Sequence, residues 1–564
     1  MPRSLVLNRM PAGDFDRRQA IVVGAILAAY LALSLAWISL PGPDADEALF
    51  VAVWYRHSPM AMYADEIRVF QSKIVTMVGS YNGALKGWVW SLFFAFGRSV
   101  YTMRVPAVLL AAVTLALFYR WVRRMYSRRT AAVALLLAAM DPTYIISSRI
   151  DSGPVVLQRL LLMAGIMAGT SWALNSAPPA RRWSRLAASG FFFGLALWDK
   201  ATFAWCLLAL AATLLVLFPG QVRQRLRPAA IAVFVFFLCL GSLPLLLYNA
   251  RTVTSGTREV TSLESFDAAT WNLKWTNFQL TLSGYYLYSA LGGESIDRGE
   301  AATVHDTGQR LLDAMGWFAP ERGTWLPWAL AAAAVVGAAA VWRRQRALLF
   351  PLVFSLLHWI VVFVTRGAGG PHHTTLIYPF PHLGIAAAGV WLWEGSSRLP
   401  RAITFVAHRG LAVALAAVVL TQLAYDARQL SAFRQIRGPG IWSDAIYDIA
   451  RYLKAQRPDL VVNMDWGFGN PLLFLTDDQV RQNEFYEKIA FEPPENQAAQ
   501  VEELVPLLSQ PNTLFLTHTD AFLCFPATKK VFEQALTKAG KRARVVRRFY
   551  QGTGEALAQL VRVE

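Results

Sequence analysis

Three carboxylates follow closely on the first long apolar run of the chain: Asp44, Asp46 and Glu47. A carboxylate cluster at a lipid–water boundary costs desolvation free energy, so its presence there needs a functional reason. A carboxylate beside an acceptor hydroxyl acts as a general base, and neighbouring carboxylates perturb one another's pKa. The pattern predicts proton abstraction at a membrane surface. A solvated turn with Asp46 capping the next helix fits the same residues.

A second acidic group stands in Ser147-Ser148-Arg149-Ile150-Asp151, which follows the turn at Asp141-Pro142. An arginine and an aspartate at the outer end of a span can hold a phosphate and a hydroxyl, or they can pair with each other. Both interpretations remain open from the sequence.

Cations suited to an anionic lipid head group recur near the same boundary. Arg104 stands at the mouth of the second span, where its planar fork suits a phosphate. Lys200 and the pair His372 and His373 lie at the ends of later apolar runs. Interfacial snorkelling and a polar turn are the alternatives for these groups. A metal held by the two histidines and distant carboxylates is not favoured, so we expect no metal and no cofactor.

The elements that must position these groups are membrane helices. The 564-residue chain is 55% hydrophobic and 16% charged, with a mean hydropathy of +0.35. Apolar runs of about 20 residues recur, each long enough to cross a ~30 Å hydrocarbon core. The pattern predicts a mainly α-helical polytopic membrane protein with about eleven transmembrane helices, one long run being divided at Trp198-Asp199-Lys200.

Arginines orient these spans. If the N-terminus is cytoplasmic, every predicted cytoplasmic turn is basic and almost free of acid, as the positive-inside rule requires. The arginines of these regions are Arg3, Arg9, Arg17, Arg18, Arg120, Arg123, Arg124, Arg128, Arg129, Arg181, Arg182, Arg185, Arg223, Arg225, Arg227, Arg343, Arg344, Arg346, Arg398 and Arg401. The candidate site residues then all fall on the outer face.

Two domains are predicted. Residues 1–426 form the transmembrane domain, with outer loops at 41–103 and 249–324 and an interfacial helix at Leu85–Phe96. Residues 427–564 have a soluble composition, and helices alternating with short apolar strands indicate a small α/β domain on the outer face.

Several function classes are disfavoured. The net charge of +17 comes from arginines in short connectors, so nucleic acid is not an expected partner. The three cysteines fit neither a metal spacing nor a disulfide framework. No phosphate-binding glycine loop or serine-hydrolase elbow is visible, which favours a transferase using a pre-activated lipid donor.

The ordered series of motifs resembles the polytopic GT-C glycosyltransferases, in particular bacterial enzymes related to protein O-mannosyltransferases and to the transferase that adds aminoarabinose to lipid A. The resemblance covers roughly residues 15–220. The motifs that carry it are Asp46-Glu47, Asn82-Gly83-Ala84-Leu85, Phe96-Gly97, Arg104-Val-Pro106, the basic turn Arg120–Arg129, Arg149-Ile-Asp151 and Gly194–Lys200.

The resemblance implies roles for individual residues. Asp46 would be the general base, supported by Glu47, with Asp151 as a second acidic group. Asp44 would lie among the substrate contacts. The donor phosphate would be held by cations drawn from a larger set: Arg104, Arg149, Lys200, His372 and His373, with Lys86 replacing the cation that the family often places near Asn82.

The function implied is inverting transfer of a sugar from a polyprenyl-phosphate donor to a lipid, polysaccharide or protein acceptor. The setting would be the outer face of a bacterial inner membrane, with membrane lipids around the spans and the C-terminal domain in the periplasm. A transporter or flippase of lipid-linked sugars is the alternative, and it predicts ionisable residues deep within spans and two related halves. A membrane scaffold would make the Asp46 cluster expendable.

Overall fold

The computed structural model describes residues 17–55, 63–70, 72–174, 179–252, 258, 260–265, 267–292, 307–316, 319–320, 322–342, 345–490 and 496–564. Among the topological arginines, Arg3, Arg9, Arg343 and Arg344 lie outside these residues, as does part of the predicted loop 249–324.

The described residues before 436 are mainly helical. Their helices are α1 (Arg17–Leu35), α2 (Ala45–Leu49), α3 (Leu85–Phe94), α4 (Val100–Met125), α5 (Arg128–Ala139), α6 (Pro142–Arg149), α7 (Val156–Ala173), α8 (Pro179–Asp199), α9 (Phe203–Leu217), α10 (Pro219–Arg225), α11 (Pro228–Gly241), α12 (Leu243–Thr252), α13 (Ala268–Leu282), α14 (Tyr285–Gly292), α15 (Thr307–Met315), α16 (Leu326–Trp342), α17 (Arg346–Val364), α18 (Pro371–Thr374), α19 (Phe380–Ser396) and α20 (Arg401–Gln435).

Five helices of the described chain are long and apolar enough to cross a membrane: α1, α4, α7, α17 and α20. Three bent pairs also qualify if each is one span, with bends of 62° for α5–α6, 107° for α9–α10 and 72° for α11–α12. Length and composition therefore give five to eight spans in the described residues. The expected number of about eleven stays a prediction.

The predicted outer segment 41–103 contains more structure than the interfacial helix expected there. Helix α3 matches that prediction within two residues. An antiparallel hairpin, β1 (Asp65–Val69) and β2 (Ser72–Met77), precedes it and was not predicted. The hairpin lies in the chain between α2 and α3.

Helix α20 crosses the predicted domain boundary at residues 426 and 427 without a break. Its 35 residues span about 50 Å, well beyond a ~30 Å hydrocarbon core. The boundary is therefore corrected to the end of α20, and the helix carries the chain directly into the C-terminal segment.

The C-terminal segment combines α-helices with a β-sheet. It contains a five-stranded sheet in the order β4-β3-β5-β7-β6, in which β4, β3 and β5 are parallel and β7 and β6 antiparallel. The elements are α21 (Ala445–Gln456), β3 (Leu460–Asn463), α22 (Gly469–Thr476), β4 (Gln482–Asn483), α23 (Tyr486–Ala490), α24 (Gln497–Leu508), β5 (Thr513–His518), α25 (Pro526–Ala539), β6 (Ala543–Tyr550) and β7 (Ala556–Val563).

Candidate active site

Arg104 is fully buried, and all its guanidinium donors are occupied. Its Nε and Nη2 donate to the two carboxylate oxygens of Glu47, each at 2.8 Å. Nη1 donates to the carbonyl oxygens of Ile38 and Pro41, and Nη2 also donates to that of Gly42. We therefore correct the expectation that Arg104 binds phosphate, because a phosphate would have to displace Glu47. Glu47 is likewise engaged as the partner of Arg104.

Arg149 also donates into the turn after α1. Its Nη2 lies 2.7 Å from the carbonyl oxygen of Trp37 and 3.0 Å from that of Leu40, and its guanidinium lies 4.8 Å from the centre of the Phe433 ring. Its Nε and Nη1 have no acceptor among the described residues, but the whole side chain is enclosed by protein. The expectation that Arg149 reaches a donor phosphate is corrected for a different reason, because the side chain is fully buried and is held by the carbonyl oxygens of Trp37 and Leu40.

The two aspartates at the start of α2, Asp44 and Asp46, have different environments. Asp44 Oδ1 accepts the backbone N–H of Glu47 at 2.5 Å and so caps α2. Burial raises the pKa of Asp44, and the cap replaces the substrate contact expected there. The Asp46 side chain remains exposed, yet the surrounding protein displaces enough water to raise its pKa, while the charges of Lys200 and Lys86 oppose that rise. Asp46 is thus the carboxylate of α2 that is open to a substrate.

The segment 81–85 docks against the turn between α8 and α9. Asn82 pairs in antiparallel register with Lys200. A Cβ at Gly83 would lie 1.7 Å from the carbonyl oxygen of Trp198, so only glycine fits this approach. The two motifs, far apart in sequence, therefore form one structural unit.

Lys86 and Asp151 form a buried ion pair. Lys86 Nζ lies 2.8 Å from the carbonyl oxygen of Asp151 and 3.0 Å from its Oδ2. The ammonium also lies 5.3 Å from the Trp90 ring centre. Asp151 Oδ1 accepts the backbone N–H of Val155 at 2.8 Å, which ties it to the start of α7. Two residues predicted for the site are thus brought together, each with the other as its nearest charge.

Asp199 is a site residue that the sequence reasoning did not single out. Its Oδ1 accepts the backbone N–H of Lys86 at 3.1 Å. Its Oδ2 is buried and has no hydrogen-bond partner among the described residues. The sequence does contain a signal for Asp199, because this carboxylate interrupts a long apolar run. The sequence analysis interprets that interruption only as a break between two spans.

Among the candidate cations, the ammonium group of Lys200 is the best placed for an anionic substrate. Its Nζ lies 5.6 Å from the Tyr81 ring centre, and no carboxylate within the described chain forms a salt bridge with it. Burial lowers the pKa of Lys200 to about 8, and the charges of Asp46, Asp199 and Asp151 oppose that shift. The ammonium therefore lies in an acidic environment without a dedicated partner.

His372 and His373 face each other across 3.1 Å between their Nε2 atoms. Gly153 lies against His372, since a Cβ there would be 2.1 Å from the Cβ of His372. Burial lowers the pKa of both histidines, and the charge of Lys200 lowers it further. We correct the expectation that they act as cations, because neutral imidazoles offer a hydrogen-bond donor or acceptor instead.

The groups that come together are Asp46 from α2, Lys86 from α3, Asp151, Lys200 and His372. Electrostatic interactions link Asp46 to both lysines and Lys200 to Asp151 and His372. The arrangement brings together an exposed carboxylate (Asp46), a cation without a salt-bridge partner in the described chain (Lys200), the Lys86–Asp151 ion pair and the imidazole of His372. Such a site can remove a proton from one substrate while it binds an anionic group of the other substrate.

One group of metal-ligating side chains occurs in the described part of the chain. Ligand atoms of Asp465, His518 and Cys524 lie within 4.8 Å of one another in the C-terminal segment. The group contains none of the residues around Asp46. The expectation that the reaction needs no metal therefore stays a prediction.

Comparison with known proteins finds one family model and several solved structures that resemble this chain. Residues 83–248 match the family model described as dolichyl-phosphate-mannose-protein mannosyltransferase. The fold is similar to ArnT from Cupriavidus metallidurans in the apo state, with a TM-score of 0.57, 14% identity, and coverage of 96% of this chain and 97% of that one. The similarity extends over nearly the whole of both chains, so the two proteins share a fold.

Two further structures are similar to this chain in fold. ArnT bound to undecaprenyl phosphate has a TM-score of 0.55 at 14% identity, with 96% of this chain and 97% of that chain covered. The Archaeoglobus fulgidus oligosaccharyltransferase tethered to an acceptor peptide has a TM-score of 0.56 at 14% identity, with 96% and 74% covered. No curated protein matches the chain in sequence.

Proposed function

We propose that this protein is an inverting glycosyltransferase that moves a hexosyl or pentosyl group from a polyprenyl-phosphate donor to a hydroxyl of a lipid, polysaccharide or protein acceptor. The observation that carries the proposal is the position of Asp46, an exposed carboxylate, beside Lys200, a cation without a salt-bridge partner in the described chain. General base and phosphate ligand are the two groups that this reaction requires.

The proposed reaction balances without an external energy source. Asp46 takes the proton of the acceptor hydroxyl as the acceptor oxygen forms a bond to the anomeric carbon. The bond between that carbon and the phosphate oxygen breaks, and its electron pair leaves with the polyprenyl phosphate. Lys200 stabilises the departing phosphate, while neutral His372 offers a hydrogen bond to it. Attack opposite the leaving group inverts the anomeric centre.

The remaining residues act on these groups indirectly. The Lys86–Asp151 pair sets the local charge, because Lys86 opposes the rise in the pKa of Asp46 and Asp151 keeps Lys200 protonated. Arg104 and Arg149 hold the turn that presents α2. We expect transfer to continue in EDTA, since a monophosphate bound by cations does not require a metal.

Relatives with the same fold support the choice of substrates. A structure of ArnT contains undecaprenyl phosphate, and one of the archaeal oligosaccharyltransferase AglB contains dolichol phosphate with an inhibitory peptide. A polyprenyl-phosphate donor for this chain follows by analogy with these ligands.

The proposed setting is a bacterial inner membrane crossed about eleven times. The N-terminus would be cytoplasmic, and the active site and C-terminal domain would face the periplasm. The basic turns of the sequence support this orientation.

Reconstitution tests the proposal directly. Purified protein in lipid vesicles receives labelled polyprenyl-phosphate sugars together with a pool of membrane lipids and polysaccharides. Asp46→Asn is compared with wild type, and Asp520→Asn, which removes an exposed carboxylate of the C-terminal segment, is the matched control. Thermal melting checks that the three proteins are folded.

Label transfer by wild type and by Asp520→Asn, with loss of at least 100-fold in Asp46→Asn, is the expected result. Equal transfer by Asp46→Asn would remove this residue as the base. If wild type consumes no donor but moves labelled lipid-linked sugar across the bilayer, the flippase alternative replaces the proposal.

A further inference from the structure

The last two strands of the C-terminal segment carry much of its positive charge. Residues 541–564, which include the β6–β7 hairpin, contain six basic and two acidic residues. Residues 437–540 contain nine basic and fourteen acidic residues. The hairpin is therefore positively charged, whereas the rest of the segment is negatively charged. Such a separation of charge within one small unit is typical of a surface that attracts an anionic partner.

Two pairs of opposed residues begin a basic face on this hairpin. Arg544 of β6 is directly opposite Arg562 of β7 in the antiparallel register. Arg542 and Glu564 exchange two backbone hydrogen bonds, each at 2.9 Å, so they are opposed further along the same ladder. Because side chains alternate between the two faces of a sheet, residues two apart share a face. All four side chains therefore project from the same side of the hairpin.

Arg547 joins this side through a β-bulge. The register shifts between Val545 and Arg547, so Arg547 is opposite Leu560, which shares a face with Arg562. The Arg547 guanidinium lies 4.6 Å from the ring centre of Tyr452 in α21. We define the arginine face as the side chains of Arg542, Arg544, Arg547 and Arg562.

The arginine face is open to solvent and short of counter-charge. Arg542, Arg544 and Arg547 are exposed, and Arg562 is partly exposed. Arg544 Nε lies 3.0 Å from Glu564 Oε1, and this is the one salt bridge that the four arginines form with described residues. The Nε of Arg562 has no hydrogen-bond partner in the described part of the chain. Three guanidinium groups are therefore available to an anion from outside.

The opposed arginines are an unfavourable choice for stability alone. Like charges directly opposite each other destabilise an antiparallel pair, and Arg544 and Arg562 are such a pair. β6 is also the edge strand of the sheet, so its side chains are not needed to cover a further strand. Residues that break a local rule of stability are expected where a protein binds something.

The arginine face lies at the end of the hairpin that is far from the membrane helices. The turn after β6 lies beside the end of α20, because a Cβ at Gly552 would be 2.4 Å from the carbonyl oxygen of Ile436. From Tyr550, which ends β6, to Arg544 the strand extends about 20 Å. Helix α20 is itself longer than a ~30 Å hydrocarbon core requires. This position favours a partner in the aqueous phase over the lipid head groups around the helices.

We propose that the arginine face binds an acidic polysaccharide and holds it as the acceptor, a proposal that rests on the proposed glycosyltransferase function. The guanidinium groups recur about 7 Å apart along β6 and about 5 Å apart across the two strands, which suits the regularly repeated charges of such a polymer. Each planar fork can bind a carboxylate or phosphate through two parallel hydrogen bonds. A polymer can contact the arginine face and Asp46 together, and this tethering raises the concentration of acceptor hydroxyls at the base.

Binding is measured first, without turnover. The full-length protein in phosphatidylcholine nanodiscs is titrated into fluorescent oligogalacturonate or fluorescent phosphorylated dextran, with neutral dextran as the uncharged probe. The test variant combines Arg544→Gln with Arg562→Gln. The matched control combines Lys529→Gln with Lys530→Gln, which removes two exposed charges from α25 of the same segment.

We expect an apparent Kd at least tenfold higher in the arginine variant than in wild type and the lysine control at about 50 mM NaCl. Binding of the charged probes should weaken strongly at about 500 mM NaCl, because salt screens exposed charges. Neutral dextran should not bind. Equal affinity of the three proteins for both charged probes, or no binding of either probe by wild type, overturns the proposal.

Two other occupants are outcomes of the same experiment. If wild type binds phosphatidylglycerol vesicles through the arginines but binds neither charged glycan, the face is a membrane contact and the proposal fails. If wild type forms salt-sensitive dimers that the arginine variant does not form, and neither protein binds a charged glycan, the occupant is the acidic part of a second copy.

A charge-conserving variant separates binding from a structural role. Arg544→Lys combined with Arg562→Lys keeps both charges, so it should bind the charged probes more tightly than the glutamine variant does. Affinity as low as that of the glutamine variant overturns an electrostatic role for these residues. Thermal melting should show no loss of stability in the glutamine variant, because removing opposed like charges relieves repulsion.

Kinetics distinguish this proposal from the function on which it rests. If wild type transfers no label in the reconstituted assay but the titration gives the expected difference, the glycosyltransferase function fails and the polysaccharide-binding face stands. If wild type transfers label and the arginine variant has an unchanged KM for an acidic polysaccharide acceptor, the function stands and the proposal fails. The expected result is an acceptor KM about tenfold higher with an unchanged KM for the donor.

Discussion

Arg104 and Glu47 form a two-pronged ion pair that is almost wholly shielded from solvent, with Nε–Oε1 and Nη2–Oε2 distances of 2.8 Å. The pair joins the start of α4 to α2, the helix that carries Asp46. The other guanidinium donors bind carbonyl oxygens of the turn between α1 and α2. The position of the candidate base therefore depends on a buried arginine that does not itself face the substrate.

Breaking this pair should destabilise the protein strongly. Arg104→Met leaves the Glu47 carboxylate buried without a counter-charge, and we expect a loss of about 3–5 kcal/mol in the free energy of unfolding. Combining Arg104→Met with Glu47→Met should recover much of that loss, because both charges are then removed. Thermal melting of the two single variants and the double variant measures the coupling. Additive losses would contradict a direct pairing.

Gly83→Ala tests the unit formed by segment 81–85 and the α8–α9 turn. The new methyl group would overlap the carbonyl oxygen of Trp198, so the pairing of Asn82 with Lys200 must shift. We expect sugar transfer to fall at least tenfold, since displacements of about 1 Å at positioned groups are costly. Gly389→Ala, in α19, is the matched control, because a Cβ there would meet no atom within 4 Å. The transfer rates and melting temperatures of both variants test this prediction.

The sequence predicted the mainly helical class of fold for an identifiable reason. Long apolar runs and basic turns reflect the bilayer itself, so they indicate helices without tertiary information. Lys86, Asp151 and Lys200 stay predicted site residues; Lys86 pairs with Asp151, and Asp151 is among the charges that act on Lys200. The short apolar strands expected after residue 427 include β3, β6 and β7.

The partners of the charged side chains could not be predicted from the sequence in the same way. An arginine at the end of a span has the same local sequence whether it binds a phosphate or a buried carboxylate, so Arg104 and Arg149 were assigned to the donor. The burial that keeps His372 and His373 neutral depends on packing from distant helices. Asp199 was missed because its role depends on contact with Lys86, more than a hundred residues earlier.

The rate of transfer should follow a bell-shaped pH dependence. Below the raised pKa of Asp46 the base is protonated, so kcat/KM for the donor and acceptor should fall as the pH decreases. Above the Lys200 pKa of about 8 the ammonium loses its charge, so donor affinity should fall as the pH increases. Lys200→Arg should remove the alkaline limb, because arginine stays protonated. Initial rates between pH 5 and 10 test both limbs, and an unchanged alkaline limb in Lys200→Arg would assign it to another group.

Asp199→Asn should alter the alkaline limb without unfolding the protein. The asparagine oxygen can still accept the backbone N–H of Lys86, so the contact that joins α8 to α3 is kept. The negative charge that helps to keep Lys200 protonated is lost, and the pKa of Lys200 should therefore fall. We expect the alkaline limb of donor kcat/KM to move to lower pH in Asp199→Asn.

Asp65→Asn, in the β1–β2 hairpin, serves as the control because Asp65 accepts a hydrogen bond from Thr76 and does not act on Lys200. Its pH profile should coincide with that of wild type. If Asp199→Asn also coincides with wild type at an unchanged melting temperature, Lys200 does not set the alkaline limb. A shift in the opposite direction would mean that Asp199 acts on the phosphate site other than through its charge, because removing a carboxylate can only make the neighbouring ammonium easier to deprotonate.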